Sequence, residues 1–348
     1  MANWSIGELT EEVIFYMKEA MFYELIDKDK GIIKCLLCPK KCLIRKGQVG
    51  FCRTRKNIDN QLYSLTYSKV SSYGMDPIEK KPLYHFYPGI MVLSLGTLGC
   101  NFACDFCQNW TISQANIKDV QVEELSPEKA IQLAQQNNSP AICYTYSEPL
   151  IWYEYVLDTA RLAKKNNLKN ILVTNGFINR EPLIKLLPFI DAMNIDLKSF
   201  QNSFYQKYSK GTLSPVLNTI ELSKEYCHIE ITNLIIPGLN DNEKEIKEMV
   251  EWISSLSEDI PLHFSRYFPC YKMDIEATPI SILYKARDIA QKKLKYVYVG
   301  NIWDEEANTT YCGNCKKTLI KRTGYNIINV GLDIDGKCKY CGEKVVYL

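Results

Sequence analysis

Between Gly89 and Asn301 short apolar runs alternate with longer stretches whose apolar residues recur at helical spacing. Met91 to Leu95, Ala141 to Thr145, Ile171 to Thr174, Ala192 to Asp196, Ile229 to Ile236 and Leu262 to Phe268 read as strands of a parallel sheet buried on both faces. The pattern predicts helices over Pro127 to Gln136 behind a Ser126 cap, Pro149 to Lys165, Pro182 to Leu187, Pro215 to Tyr226, and Asn242 to Leu256 behind Asp241. A last helix, Pro279 to Lys293, leads into Tyr296 to Val299, a candidate seventh strand. Such alternation predicts βα units around one sheet.

The flanks follow other patterns. Glu8 to Leu25 is amphipathic and predicts a helix. After Cys52 a hairpin is expected, turned at Asn57 to Asn60 and followed by a β-rich stretch from Leu62 to Tyr73. Beyond Asn301 two cysteine pairs bracket a β-like stretch, Leu319 to Leu332, and a turn at Asp333 to Gly336. Three domains are expected: 1–88, 89–301 and 302–348.

Charge adds mainly exclusions. With 42 Lys and Arg against 40 Asp and Glu in 348 residues, a net charge of +2 gives no basic stripe for nucleic acid. No apolar stretch reaches the roughly 20 residues that span a bilayer, and the N-terminal region lacks a basic n-region. Membrane insertion is not expected, and a cytoplasmic location is. Eleven of the 14 cysteines fall in three tight clusters, which suits metals in a reducing compartment better than disulfides.

The first cluster is Cys100, Cys104 and Cys107, spaced C-x3-C-x2-C directly after an apolar run, so it sits at the C-terminal end of a strand. It offers three thiolates where a 4Fe-4S cubane has four irons, which leaves one iron free for a substrate or cofactor. A zinc site completed by a distant residue and plain buried cysteines are the alternatives. Cys35, Cys38, Cys42 and Cys52 form a four-thiolate set that suits zinc first and an auxiliary iron-sulfur cluster second. Cys312, Cys315, Cys338 and Cys341 have the spacing of a zinc ribbon or of a rubredoxin-like iron site. Cys143, Cys227 and Cys270 read as core residues, with Cys270 placed near the strand ends.

The three-cysteine loop, with Phe106 before its last cysteine, resembles the radical SAM superfamily. Motifs after the following strands extend the likeness: Tyr146-Ser147-Glu148-Pro149, Thr174-Asn175-Gly176, Asn194 to Lys198, and Ile235 to Asp241. Asp76 to Phe86, Leu262 to Tyr267 and Val297 to Asn301, together with the two outer cysteine sets, resemble the AmmeMemoRadiSam enzymes, which are related to pyruvate formate-lyase activases. The resemblance implies an α/β fold: a partial (β/α)6 TIM-like barrel with an N-terminal four-cysteine segment and a small C-terminal ribbon module. It implies a 4Fe-4S cluster on Cys100, Cys104 and Cys107 and S-adenosylmethionine on the open iron, cleaved to methionine and a 5′-deoxyadenosyl radical that abstracts hydrogen from a substrate.

By the same resemblance Ser147, Glu148, Thr174, Asp196 and Lys198 are the expected S-adenosylmethionine contacts; in the activase group the turn matching Ile235 to Asp241 helps shape the adenosine pocket, while from its residues it is a Pro-Gly turn with Asp241 capping the next helix. Val173 stands where the activase group has an aspartate of a cation site, a departure from that pattern. Two outcomes compete: a small-molecule or lipid substrate, or activation of a glycyl-radical protein, with ferredoxin or flavodoxin as electron donor. Closure of the barrel mouth by the two outer modules would favour the first. A non-catalytic metal-ribbon protein is the reading of another class. His263 and Arg266 are candidates for a substrate carboxylate, with at least one of them structural. His85 and His228 read as buried or capping.

Overall fold

The computed structural model describes residues 17–348. Its centre is an eight-stranded sheet of β1 (Ser72–Pro77), β2 (Met91–Gly96), β3 (Ala141–Tyr144), β4 (Lys169–Thr174), β5 (Ala192–Asp196), β6 (His228–Ile235), β7 (Leu262–Arg266) and β8 (Val297–Gly300). The spatial order equals the chain order. From β2 to β8 all pairs are parallel, and β1 lies antiparallel on the edge, with Ser72 opposite Gly96 and Pro77 opposite Met91. All the strands read from the apolar runs are present, the candidate seventh included. The edge strand was not anticipated as part of this sheet, because Ser72–Pro77 is half polar and earns its place only by pairing with β2.

One main helix fills each crossover: α1 (Pro127–Gln136), α2 (Tyr153–Lys165), α3 (Arg180–Leu186), α4 (Ser214–Ser223), α5 (Glu243–Leu256) and α6 (Ile280–Ala290). Right-handed crossovers between successive neighbours put every helix on one face. The other face is packed by the segment after β1, where Ile78, Leu83 and Phe86 meet Val92, Ala141, Cys143, Ile171 and Ala192. β1 and β8 are not paired with each other, so the sheet is open.

Caps fix the helix starts. Ser126 Oγ accepts the Lys129 amide at 3.3 Å, as expected. For α5 the cap is Asn242, whose Oδ1 accepts the Glu245 amide at 2.9 Å, and not Asp241, whose carboxylate is taken by the Gly238 amide at 2.9 Å. Pro149 opens a 3-10 turn, Pro149–Ile151, before α2 begins.

The N-terminal helix expectation fails where it can be tested. Residues 8–16 of that span lie outside the described residues. Lys18–Glu19 and Tyr23–Asp27 are strands, the second paired with Ile32–Cys35, which pairs in turn with Leu43–Arg45. The cause is tertiary: Glu154, 1% exposed, accepts the Met21 amide at 2.7 Å and holds Arg55 Nη2 at 3.0 Å, while Arg55 also donates to the Met21 carbonyl. With Phe22 at φ 57 no helix can pass. The expected hairpin is present, Arg55–Ile58 with Gln61–Ser64, and its two turn residues Asp59 and Asn60 have φ 49 and 68, the twist that suits a two-residue loop.

The tail forms a three-stranded antiparallel sheet of Thr310–Tyr311, Thr318–Thr323 and Asn326–Asn329. It packs on the N-terminal ends of the parallel strands: the Tyr87 amide donates to the Tyr347 carbonyl at 2.7 Å, and the Tyr347 amide to the His85 carbonyl at 2.8 Å. A buried relay fastens it. Arg322 Nη1 donates to Thr310 Oγ1 at 2.7 Å, Thr310 lies 2.8 Å from the Tyr298 hydroxyl, and that hydroxyl lies 2.6 Å from His85 Nε2. His85 Nδ1 is 2.7 Å from the Val345 carbonyl, which can only accept, so Nδ1 carries a proton. Glu230 collects the other two histidines, with His263 at 2.6 Å and His228 at 3.0 Å, and accepts the His85 amide at 2.7 Å.

Burial lowers the His85 pKa from 6.5 to about 4. The ring is neutral in the fold and charges readily once exposed, so its contribution to stability is complete above about pH 6.5 and is lost as pH falls towards 4. His85→Gln is expected to cost ~1–3 kcal/mol at pH 7 and to flatten the fall in unfolding midpoint across that window. Parallel profiles for the two proteins in urea titrations would refute the role given to this ring.

Candidate functional site

The cysteine loop leaves β2 at Gly96 and crosses the C-terminal ends of the strands. Cys100 Sγ accepts the Phe102 amide at 3.3 Å and the Asn175 side-chain amide at 3.5 Å. Cys107 Sγ lies 3.2 Å from Ser113 Oγ. The loop backbone is held from outside by Ala103 N to Ser209 O and Asp105 N to Tyr208 O, each 3.0 Å. Phe102 fills the space in front of Gly211, where a Cβ would lie 2.2 Å from its ring. Burial raises the Cys100 pKa well above the ordinary range and lifts Cys104 to about 11, with Lys198 opposing the shift. As thiols these sulfurs stay protonated, and a metal that binds them as thiolates displaces the protons.

The next three strand ends converge on this loop. Glu148, 3% exposed, accepts Thr174 Oγ1 at 2.6 Å, the Asn175 amide at 2.8 Å and the Leu150 amide at 3.0 Å. Burial pushes its pKa up to about 7 in spite of those bonds. Lys198 Nζ pairs with Asp196 at 2.9 Å and lies 5.9 Å from the centre of the Phe106 ring inside the loop. Burial alone would lower the Lys198 pKa, but Asp196 and Cys104 hold it above its usual value. Ser147 Oγ is buried with no hydrogen-bond partner.

Thus the structure brings Glu148, Thr174, Asp196 and Lys198 to the loop. Asn175 and Asn101 were not singled out from sequence, although Asn175 Nδ2 donates to Asn101 Oδ1 at 2.9 Å as well as to Cys100. Their place inside the Thr174-Asn175-Gly176 and Cys100-Asn101 motifs was the available signal. The Ile235 to Asp241 turn is tied to the same region through Asn240 Nδ2, which donates to the Lys198 carbonyl at 2.7 Å.

Other candidates are placed differently. His263 is buried against Glu230 and takes no place at the strand ends, and Arg266 Nε donates to the Thr278 carbonyl at 2.8 Å, so both have structural partners. Cys270 lies beside the loop, its thiol 3.5 Å from the Cys107 carbonyl. Cys143 is wholly buried in the sheet interior.

The two outer cysteine sets occupy opposite ends. Cys35, Cys38, Cys42 and Cys52 line one cavity together with Asn101, on the loop side of the sheet. In the tail Cys312 and Cys341 have their sulfurs 3.5 Å apart, Cys315 and Cys338 3.6 Å, and all four lie within 4.8 Å of one another. That packing fits a single four-coordinate ion. The tail set therefore does not close the strand-end mouth, contrary to expectation, because its sheet packs on the opposite ends of the strands.

A family profile for the radical SAM superfamily matches residues 95–253, from the end of β2 into α5. An uncharacterized protein of Methanocaldococcus jannaschii is 47% identical over 334 residues, covering 94% of this chain and 99% of that protein. Pyruvate formate-lyase 1-activating enzyme of Escherichia coli (strain K12) is 28% identical over 191 residues, 51% of this chain and 75% of that one. The crystal structure of a domain of pyruvate-formate lyase-activating enzyme from Bacteroides vulgatus superposes with a TM-score of 0.41 at 19% identity, over 46% of this chain and 99% of the other. The chain carries a radical SAM superfamily domain with homology to the pyruvate formate-lyase activating enzymes, which makes it an enzyme.

Proposed function

We propose that this chain reductively cleaves S-adenosylmethionine at a 4Fe-4S cluster held by Cys100, Cys104 and Cys107, and uses the resulting radical to take hydrogen from a small-molecule or lipid substrate. The carrying observation is the convergence of the three sulfurs, Cys104 buried and Cys100 and Cys107 half-buried, with Glu148, the Asp196–Lys198 pair and the unpartnered Ser147 hydroxyl at one set of strand ends. Superfamily membership implies both cofactors, and these residues fit them. Bound there, the cluster and S-adenosylmethionine supply the one-electron chemistry.

The chain's own residues bind and orient. Lys198 is a cation poised for a carboxylate, and Asp196 holds it in place at 2.9 Å. Glu148 presents a buried carboxylate towards an ammonium, and Ser147 offers a free hydroxyl. Asn175 fixes the Cys100 sulfur relative to Glu148, since its amide binds the carboxylate while its side chain reaches the sulfur.

Two features favour a small, apolar substrate. The N-terminal module covers one side of the rim, with Asn179 Nδ2 donating to the Leu36 carbonyl at 2.6 Å and Lys40 to the Lys210 carbonyl. Exposed aromatics stand on the same face, Phe51 at 37%, Trp110 at 41% and Phe268 at 42%. Activation of a glycyl-radical protein is the second reading, favoured by relatives named as activating enzymes. A ferredoxin or flavodoxin is the proposed electron donor.

Cys100→Ala is expected to abolish 5′-deoxyadenosine formation from S-adenosylmethionine under dithionite, and continued formation at the native rate would remove the cluster assignment. Lys198→Met is expected to weaken S-adenosylmethionine binding about tenfold or more, ~1.4 kcal/mol, in equilibrium binding under anaerobic conditions. An unchanged dissociation constant would remove Lys198 from the site.

A further inference from the structure

Sulfur spacing separates the three cysteine sets. A single tetrahedral ion with metal–sulfur bonds of about 2.3 Å holds its sulfurs about 3.8 Å apart. The tail set has that spacing, at 3.5 and 3.6 Å. Among the described residues no other three Cys, His, Asp or Glu side chains gather their ligand atoms within 4.8 Å. Cys35, Cys38, Cys42 and Cys52 line a common cavity without any three of their sulfurs meeting that spacing. Cys100, Cys104 and Cys107 are spread in the same way. A multi-iron cluster requires such spread, because its cysteines ligate different irons.

The cavity wall also holds one unused buried donor and two hydrogen-bonded sulfurs. Arg55 lines it, 1% exposed, with Nε unpartnered. Cys42 Sγ accepts the Phe51 amide at 3.4 Å and Cys52 Sγ accepts Thr54 Oγ1 at 3.3 Å, the kind of hydrogen bond Cys100 accepts from Phe102. Hydrogen bonds to sulfur are among the determinants of cluster potential.

This cavity shares a wall with the three-cysteine loop. Asn101, next to Cys100, lines it. Gly99 packs so close that a Cβ there would lie 2.3 Å from the Cys52 carbonyl oxygen. Lys40 lines the cavity and donates to the Lys210 carbonyl, beside Ser209, whose own carbonyl accepts the Ala103 amide within the loop at 3.0 Å.

We propose that Cys35, Cys38, Cys42 and Cys52 hold an iron-sulfur cluster set directly against the Cys100 loop, and that this cluster is the point of entry for the electron used there. The redox balance is one electron in and one out: a ferredoxin- or flavodoxin-class donor loses it, the three-cysteine site gains it, and no proton or atom moves. Lys41, in the lining, and Arg45, three residues after Cys42, are exposed cations near the set. The inference rests on the reading of Cys100, Cys104 and Cys107 as a cluster site.

The test counts iron, zinc and acid-labile sulfide in anaerobically prepared whole protein and in the C100S/C104S/C107S variant. The variant is expected to keep about half of the wild-type sulfide and to give, when reduced, a simpler electron paramagnetic resonance spectrum than the wild type, whose two neighbouring clusters broaden each other. Complete loss of sulfide in the variant, with zinc on the N-terminal set, overturns the inference and leaves the proposed function intact. Wild-type protein without sulfide overturns both. Should the triple variant fail to fold, C35S/C52S with the loop intact is expected to lose about half of the sulfide, and unchanged sulfide overturns the inference.

Discussion

The carboxylate of Glu148 is the tie on which the strand-end geometry depends. Burying it carries a desolvation cost that only hydrogen bonds offset, and it takes them from Leu150, Thr174 and Asn175 across two neighbouring strands. Asn175 then reaches Cys100 and Asn101. One buried acid thereby sets where β3 and β4 end relative to each other, and the position of the first sulfur follows. Its raised pKa marks the cost of keeping it dry.

The sheet divides the chain's chemistry between its two ends. At the C-terminal ends of the strands lie the three-cysteine loop, the Asp196–Lys198 pair and the N-terminal cysteine set. At the other ends the tail sheet is fastened through Arg322, Thr310, Tyr298 and His85, all buried. The tail cysteine set is thereby separated from the loop by the length of the parallel strands, at about 3.3 Å per residue. Its place is that of a fastener at the base of the fold. Among the described residues no helix is long and apolar enough to cross a membrane.

What the sequence revealed follows from range. The parallel strands were legible because burial on both faces makes each a continuous apolar run, and the cysteine sets were legible because metal ligands cluster locally. The residues from Lys18 to Leu25 were misread as helix because their conformation is dictated by Glu154 and Arg55, residues distant in sequence. The same limit hid the packing of Gly99 on Cys52 and the reach of Asn175 to Cys100, since neither contact leaves a periodic trace. His263 looked like a strand-end residue because it lies on β7, but it stands near that strand's start, where Glu230 holds it.

The central claim is that the loop of Cys100, Cys104 and Cys107 presents an open iron to S-adenosylmethionine. The most direct measurement is electron paramagnetic resonance of the anaerobically reduced protein as S-adenosylmethionine is added. A saturable change in the cluster signal that disappears in Glu148→Gln or Lys198→Met at the same concentration is the predicted result. A signal that S-adenosylmethionine leaves unaltered at every concentration would contradict the account.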